Sequence, residues 1–201
     1  MIKRAFDVTV SLVGLIIFFP LLVLVAIMIK LDSAGPIFFR QERIGMQFRP
    51  FRIFKFRTMV HDAAAKGGLI TFGRDPRITR VGWILRKTKT DELPQLINVL
   101  KGDMSLVGPR PEVALYVQVF QKEYEEILKV RPGITDLASL KYRNEEAILG
   151  HSDHPEEEYV KRVLPDKIKL AKEYIRRSSL MFDLSVICRT VFKIFDSRLS
   201  L

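Results

Sequence analysis

The chain has 201 residues, 48% of them apolar and 28% charged, and 33 basic against 23 acidic side chains give it a formal net charge of +10. That balance suits one globular body with a proper core and excludes a disordered chain. Cys188 is the only cysteine, which excludes an internal disulfide and a thiolate metal cluster and fits a reducing compartment.

The first element breaks the globular pattern. Residues 8–29, VTVSLVGLIIFFPLLVLVAIMI, form an uncharged run of 22. About 20 apolar residues cross a bilayer as a helix. The apolar part of a secretory signal is shorter, roughly 7–15 residues, so the run reads as a retained membrane element. Lys3 and Arg4 precede it and Lys30 follows; residues 1–32 carry +1 and residues 33–201 carry +9. Basic flanks on both sides pull both ends toward the cytoplasm. Pro20, near the middle, removes a backbone donor and kinks the helix. These residues leave two readings open: a helix that breaks at Pro20 and returns to the same face, and a spanning helix with a proline kink.

Next, residues 31–45 predict a turn at Gly35-Pro36, a short strand and a second turn at Gly45. Residues 48–59, FRPFRIFKFRTM, interleave Phe48, Phe51, Phe54 and Phe56 with Arg49, Arg52, Lys55 and Arg57. Aromatics among bases occur in nucleic-acid binders. Beside a membrane element, such a strand better suits lipid headgroups or a phosphorylated substrate. Residues 61–82 are rich in breakers (Gly67, Gly68, Gly73, Asp75-Pro76) and read as loop.

An acidic step follows in KTKTDELPQLINVL, residues 87–100. Pro94 is comfortable only in a first turn, so the predicted helix starts around Thr90 to Glu92 and ends at Lys101-Gly102. Asp91 and Glu92 then stand where free N–H groups and the dipole stabilise negative charge, which predicts an ionised Asp91. The same arrangement is ordinary capping. Residues 102–112 read as a stiff loop holding Arg110 between Pro109 and Pro111, and Arg131 before Pro132-Gly133 repeats the arrangement. A planar guanidinium on a stiff loop suits phosphate.

The remainder predicts a helix over 113–129, a turn over 131–137, and helices over 142–149 and 154–164 with Asp153 as cap. Pro165 opens a further helix to about Arg177. The last helix, about 180–196, is apolar with a narrow stripe of Ser185, Arg189, Lys193 and Asp196, a pattern for a core or a membrane interface. His151 and His154 gather no further ligands and read as exposed loop residues. The elements add up to an α/β chain, mostly helical with a short β-hairpin. It divides into a membrane element, 1–32, and a body, 33–201.

The run RKTKTDELPQLINVLKGDMSLVGPRPE, residues 86–112, closely resembles the signature of the bacterial sugar transferase family, the small monotopic phosphoglycosyl transferases. KRAFD (3–7), GPIFFRQERIG (35–45), FKFRTM (54–59) and RPGIT (131–135) match the same family in the right order. The resemblance implies transfer of a sugar 1-phosphate from a UDP-sugar to polyprenyl (undecaprenyl) phosphate with release of UMP, a step that starts glycan assembly. It implies Mg²⁺ and two displacements through an aspartate-bound phosphosugar. Asp91 is then the nucleophile, Glu92 its partner, and both are candidate metal ligands. Gly108, Pro109 and Arg110 hold a phosphate, supported by Lys55, Arg57, Arg86 and Arg131. The family's re-entrant membrane helix implies a break at Pro20 with Arg4 at the headgroups near Asp7, on the cytoplasmic face of the inner membrane. Membrane lipids are implied partners, nucleic acid is not, and the resemblance leaves room for an oligomer.

The chain departs from the family at three places. Phe19 precedes Pro20 where many relatives have serine, DLASLKYRNEEAIL follows RPGIT where many have a Trp-Ala-Gln tract, and Ala171 stands where an Asp is frequent. The shorter chain implies a minimal catalytic form. Two rival readings are a membrane-tethered basic module binding nucleic acid or anionic lipid, and a nucleotide-sugar hydrolase.

Overall fold

The computed structural model describes residues 2–63, 68, 70–73 and 75–195; Met1, Gly67 and Asp196 lie outside them. The uncharged run forms α1 (Ile2–Asp32), and the helix continues through Pro20. Its middle is bare: Ile16, Ile17 and Phe19 are 66%, 65% and 63% exposed. By length and composition alone it can cross a membrane.

Both ends of α1 are tied to the same body. At the first, Lys3 pairs with Asp183 and donates to the Val107 carbonyl at 3.1 Å. Asp7 is buried and accepts from Ser105 Oγ at 2.8 Å and the Leu106 N–H at 3.3 Å. At the other end, Val25 and Ile29 pack with Phe56 and Leu85, and Asp32 Oδ2 accepts from the Val81 N–H at 3.1 Å.

The predicted hairpin is present. Strands β1 (Phe38–Ile44) and β2 (Pro50–Phe56) pair antiparallel from Phe38↔Phe56 to Ile44↔Pro50. The turn between them places Gln47 and Phe48 at positive φ, 57° and 59°. Ile53 and Phe56 are buried. The Arg40 guanidinium lies 4.6 Å from the Phe54 ring centroid, a contact within the hairpin.

A helix, α2 (Arg80–Thr88), begins in the last residues of the expected loop; Thr79 caps it by accepting from the Gly82 N–H at 3.0 Å. Lys89 takes a left-handed conformation, a 3₁₀ turn covers Thr90–Glu92, and α3 (Gln95–Lys101) follows Pro94. The expected stiff loop and turn contain two short strands, β3 (Ser105–Val107) and β4 (Gly133–Thr135), which pair in parallel. Two glycines permit this approach: a Cβ on Gly133 would lie 2.1 Å from the Gly108 nitrogen.

The long helix expected over 113–129 is broken at Phe120 (φ −119°, ψ 41°) into α4 (Ala114–Val119) and α5 (Gln121–Ile127). After α6 (Leu137–Lys141) and α7 (Glu145–Leu149) comes α8 (Pro155–Glu158), whose N-cap position falls on His154, without a side-chain cap bond, rather than on Asp153. A π turn over Tyr159–Val163 joins α8 to α9 (Leu164–Arg177), so Pro165 continues a helix instead of starting one. The wider turn gives room where Pro165 lacks an N–H and would crowd the preceding carbonyl. Finally, α10 (Leu180–Phe195) buries Asp183 and Val186 and exposes Met181, Leu184, Val191 and Phe192.

Two further cores hold the body together. Leu96, Val99, Met104, Val107, Tyr174 and Val186 form one beneath α3, joined by Phe6 and Leu15 of α1. Tyr116, Tyr124, Ile127, Leu149, Val163 and Leu164 anchor the other among α4–α9.

Candidate active site

The acidic step lies between α2 and α3, against β2. Two remote polypeptide segments converge on Glu92. Lys55 Nζ, from β2, donates to Glu92 Oε1 at 2.8 Å. Arg110, from the loop after β3, donates to Oε1 at 2.5 Å through Nη2 and to Oε2 at 3.3 Å through Nη1. Burial alone would raise the Glu92 carboxyl, but Arg110 and then Lys55 outweigh it and hold it well below its ordinary value. Glu92 in turn raises the Arg110 guanidinium. At Lys55 burial dominates and lowers the ammonium, against the pull of Glu92.

Asp91 is treated differently. It is 7% exposed, and its Oδ1 is buried without a hydrogen-bond partner. Burial raises its carboxyl, opposed by Lys55, reinforced by Glu92, and opposed again by Lys89 and Arg86. The surroundings of Asp91 differ from the expected helix N-terminus. Asp91 occupies a 3₁₀ turn ahead of α3 rather than that helix's first turn, and desolvation outweighs the nearby cations.

The supporting residues divide into two groups. Lys55 and Arg110 meet the dyad, and Arg86 is close enough for its charge to act on Asp91. Arg86 is itself held by Thr58 Oγ1 at 3.0 Å and Glu146 at 2.6 Å. Three other predicted phosphate cations or membrane bases bond to carbonyls at helix ends. Arg57 is buried and donates to the Ala34 and Ser33 carbonyls at 2.7 Å, closing the end of α1. Arg131 Nε donates to the Gly102 carbonyl at 2.9 Å, and Arg4 Nη2 to the Leu100 carbonyl at 3.2 Å. Both cations thus sit at the C-terminus of α3, where the helix dipole favours them. Arg4 is accordingly bound to the body.

Gly108 and Pro109 are likewise committed to the β3–β4 pair. The Gly108 N–H donates to Thr135 O at 3.1 Å, and Pro109 O accepts from the Gly133 N–H at 3.0 Å. These bonds fix the start of the loop that bears Arg110.

Sequence reasoning missed the layer behind Arg110. Asp136 Oδ2 accepts from the Arg110 N–H at 3.1 Å while Oδ1 accepts from the Ser139 N–H at 2.7 Å, so one carboxylate fixes the arginine loop and caps α6. Glu112 accepts from Tyr159 Oη at 2.7 Å and from Arg43 at 3.4 Å. The only available signal was the acid of GPRPE, whose partners lie 69 and 47 positions away.

The donor set can be tested against a cation. Among the described residues no group of three or more His, Cys, Asp or Glu side chains could hold a metal by itself. A hard dication bound by one carboxylate and completed by substrate phosphates needs less, and the unpartnered Asp91 oxygen fits that role. Glu92 has both oxygens engaged by cations.

Comparison with known proteins follows the same lines. The family model described as bacterial sugar transferase matches residues 1–197. The exopolysaccharide production protein PSS of Rhizobium leguminosarum bv. phaseoli is 39% identical over 197 residues, covering 94% of this chain and 93% of that protein. The UDP-glucose:undecaprenyl-phosphate glucose-1-phosphate transferase of Escherichia coli K12 is 40% identical over 98% of this chain and 41% of its own length. The UDP-N-acetylgalactosamine-undecaprenyl-phosphate N-acetylgalactosaminephosphotransferase of Aeromonas hydrophila is 38% identical over 94% of this chain and 43% of its own. The chain thus spans less than half the length of these two relatives.

Proposed function

The chain belongs to the bacterial sugar transferase family, and on that premise we propose that it transfers a sugar 1-phosphate from a UDP-sugar to polyprenyl phosphate. The observation that carries this reading is the pairing of one bare, buried carboxylate oxygen on Asp91 with a neighbour, Glu92, whose charge two cations already hold. Relatives named for UDP-glucose or UDP-N-acetylgalactosamine and undecaprenyl phosphate support the substrate classes.

The reaction divides into two displacements. An Asp91 carboxylate oxygen attacks the β-phosphorus of the donor; the new O–P bond forms as the bridging P–O bond breaks, and UMP leaves with that electron pair. A phosphate oxygen of polyprenyl phosphate then attacks the same phosphorus, and Asp91 departs as carboxylate. Splitting the transfer lets a soluble donor leave before a lipid acceptor arrives. Arg110 and Lys55 keep Glu92 ionised and present N–H groups beside the reacting phosphates. Mg²⁺ held by Asp91 and the diphosphate would supply neutralisation of the departing charge.

Membrane attachment is part of the proposal. Lys3 and Asp7 bind the body at one end of α1 and Asp32 binds it at the other. A spanning helix would put about 30 Å of hydrocarbon between one of those ends and the body. A helix that enters, bends near Pro20 and returns keeps both contacts, with residues 16–19 at the apex. The active site then faces the cytoplasmic surface, where both substrates meet.

The test uses purified protein, Mg²⁺ and a panel of UDP-sugars, with and without polyprenyl phosphate. Full UMP turnover is expected only with the lipid, and at most one UMP per chain without it. Continued turnover without the lipid would identify a hydrolase, and no UMP with any donor would overturn the proposal.

A further inference from the structure

Helices α6 and α10 border an open groove of about 490 Å³ lined by Leu140, Cys188, Arg189, Phe192 and Lys193. The four α10 residues share one helical face by their spacing. Leu140, Cys188 and Phe192 make its walls apolar, and no acid is among the lining residues. Lys193 Nζ donates to the Leu140 carbonyl at 2.5 Å, which pins the ammonium at the groove and leaves two of its three N–H donors. Arg189 is exposed and donates no hydrogen bond to any described residue.

We infer that this groove binds an anionic phospholipid, its phosphate on Arg189 and Lys193 and the start of an acyl chain along Phe192, Leu140 and Cys188. Charge complementarity selects the headgroup: two cations with free donors and no acid suit a phosphodiester. The setting selects a membrane lipid, because Met181, Leu184 and Val191 on the same helix are exposed as well. An amphipathic helix with exposed apolar residues and bordering bases lies at the headgroup level. Polyprenyl phosphate, which shares the anionic headgroup, is the rival occupant that the test separates. The inference rests on membrane attachment and is independent of the transferase chemistry.

The protein carries its own probe, because the sole cysteine lines the groove. Wild-type protein in neutral detergent micelles is alkylated at Cys188 with a maleimide while phosphatidylglycerol, phosphatidylcholine or polyprenyl phosphate is added. Phosphatidylglycerol is expected to slow alkylation saturably, by roughly tenfold at ten times its Kd. Phosphatidylcholine should leave the rate unchanged. In Arg189→Gln, and in Arg189→Ala with Lys193→Ala, protection should be lost, measured against each variant's own lipid-free rate. Equal protection by phosphatidylcholine, protection retained in both variants, or no protection at all would overturn the assignment. Stronger protection by polyprenyl phosphate would also overturn it and make the groove an acceptor site. UMP release measured on the same samples separates a failed lipid site from a failed transferase.

Discussion

Arg110 stands fork to fork with Glu92, Nη2 at 2.5 Å from Oε1 and Nη1 at 3.3 Å from Oε2, and Lys55 closes on the same Oε1 at 2.8 Å. The two cations are therefore matched before any substrate arrives. A phosphate entering the site meets donors that are already oriented, at the cost of sharing them with a carboxylate.

That arrangement predicts the behaviour of Glu92→Gln. The amide keeps the shape but leaves Lys55 and Arg110 without a counter-charge in a buried place. Loss of a charged hydrogen-bond partner of this kind costs about 1–3 kcal/mol. At roughly 2–4 °C per kcal/mol for a chain this size, the melting temperature should fall by several degrees. Pyrophosphate, a substitute anion, should restore more stability to the variant than to the wild type. Thermal melts with and without pyrophosphate check both points, and an unchanged melting temperature would contradict the clamp.

Asp91→Asn should separate stability from chemistry. Burial raises the Asp91 carboxyl, so the fold favours its protonated form. The sign is the reverse of a salt-bridged acid: stability from this group is full below the ordinary carboxylate range and is lost as pH rises through the raised value. At neutral pH an ionised Asp91 is a net cost that asparagine removes. The variant should melt no lower than the wild type while UMP release falls by at least about 10³-fold. A marked drop in melting temperature, or retained turnover, would count against Asp91 as a buried nucleophile.

Arg57 and Arg110 should fail in opposite ways. Arg57 spends its guanidinium on the Ala34 and Ser33 carbonyls at the end of α1. Its replacement by lysine, which lacks the planar fork, should lower the melting temperature and leave turnover per folded molecule near the wild-type value. Arg110→Lys should keep one bond to Glu92 and lose most turnover. Activity normalised to folded protein, read beside the melts, distinguishes the two. Equal losses of activity would mean that Arg57 also serves the substrate.

These pairs show what could be read in the sequence. The hairpin was legible because period-two patterning between Gly45 and its flanks is local information, and the last helix because its apolar face is wide. The acidic step was legible as a place, through Pro94 and the family match, but its electrostatics were not. Whether Asp91 is buried depends on β2 and on the loop after β3, which are remote in the chain. Arg110 was expected to hold a phosphate with Arg57 and Arg131 in support. Only tertiary placement shows that one meets Glu92 while the others close α1 and α3. The β3–β4 pair was missed for the same reason: each strand has three residues, too few to show a period, and Gly108 against Gly133 is a contact between distant segments. Helix α2 was missed because the breakers before it masked its Thr79 cap.

The return of α1 to its own side of the membrane can be read directly. Ile2 and Leu31 are 76% and 84% exposed, one at each end of the helix, so cysteines there should react without disturbing the contacts of Lys3, Asp7 or Asp32. In a Cys188→Ser background, Ile2→Cys and Leu31→Cys are each treated with a membrane-impermeant maleimide. A helix that bends near Pro20 leaves both positions unlabelled in right-side-out cells and both labelled in inverted vesicles. A spanning helix labels the Ile2→Cys protein from outside and the Leu31→Cys protein only from inside. That outcome would also require the bonds from Lys3 to Val107 and from Asp7 to Ser105 to be broken in the membrane. Asp7→Ala gives an independent check, because it removes the acceptor that Ser105 and the Leu106 N–H share. If those bonds hold the first half of α1 against the body, Asp7→Ala should destabilise the protein by about 1–3 kcal/mol. If α1 spans, residue 7 is parted from the body and the substitution should leave the melting temperature unchanged.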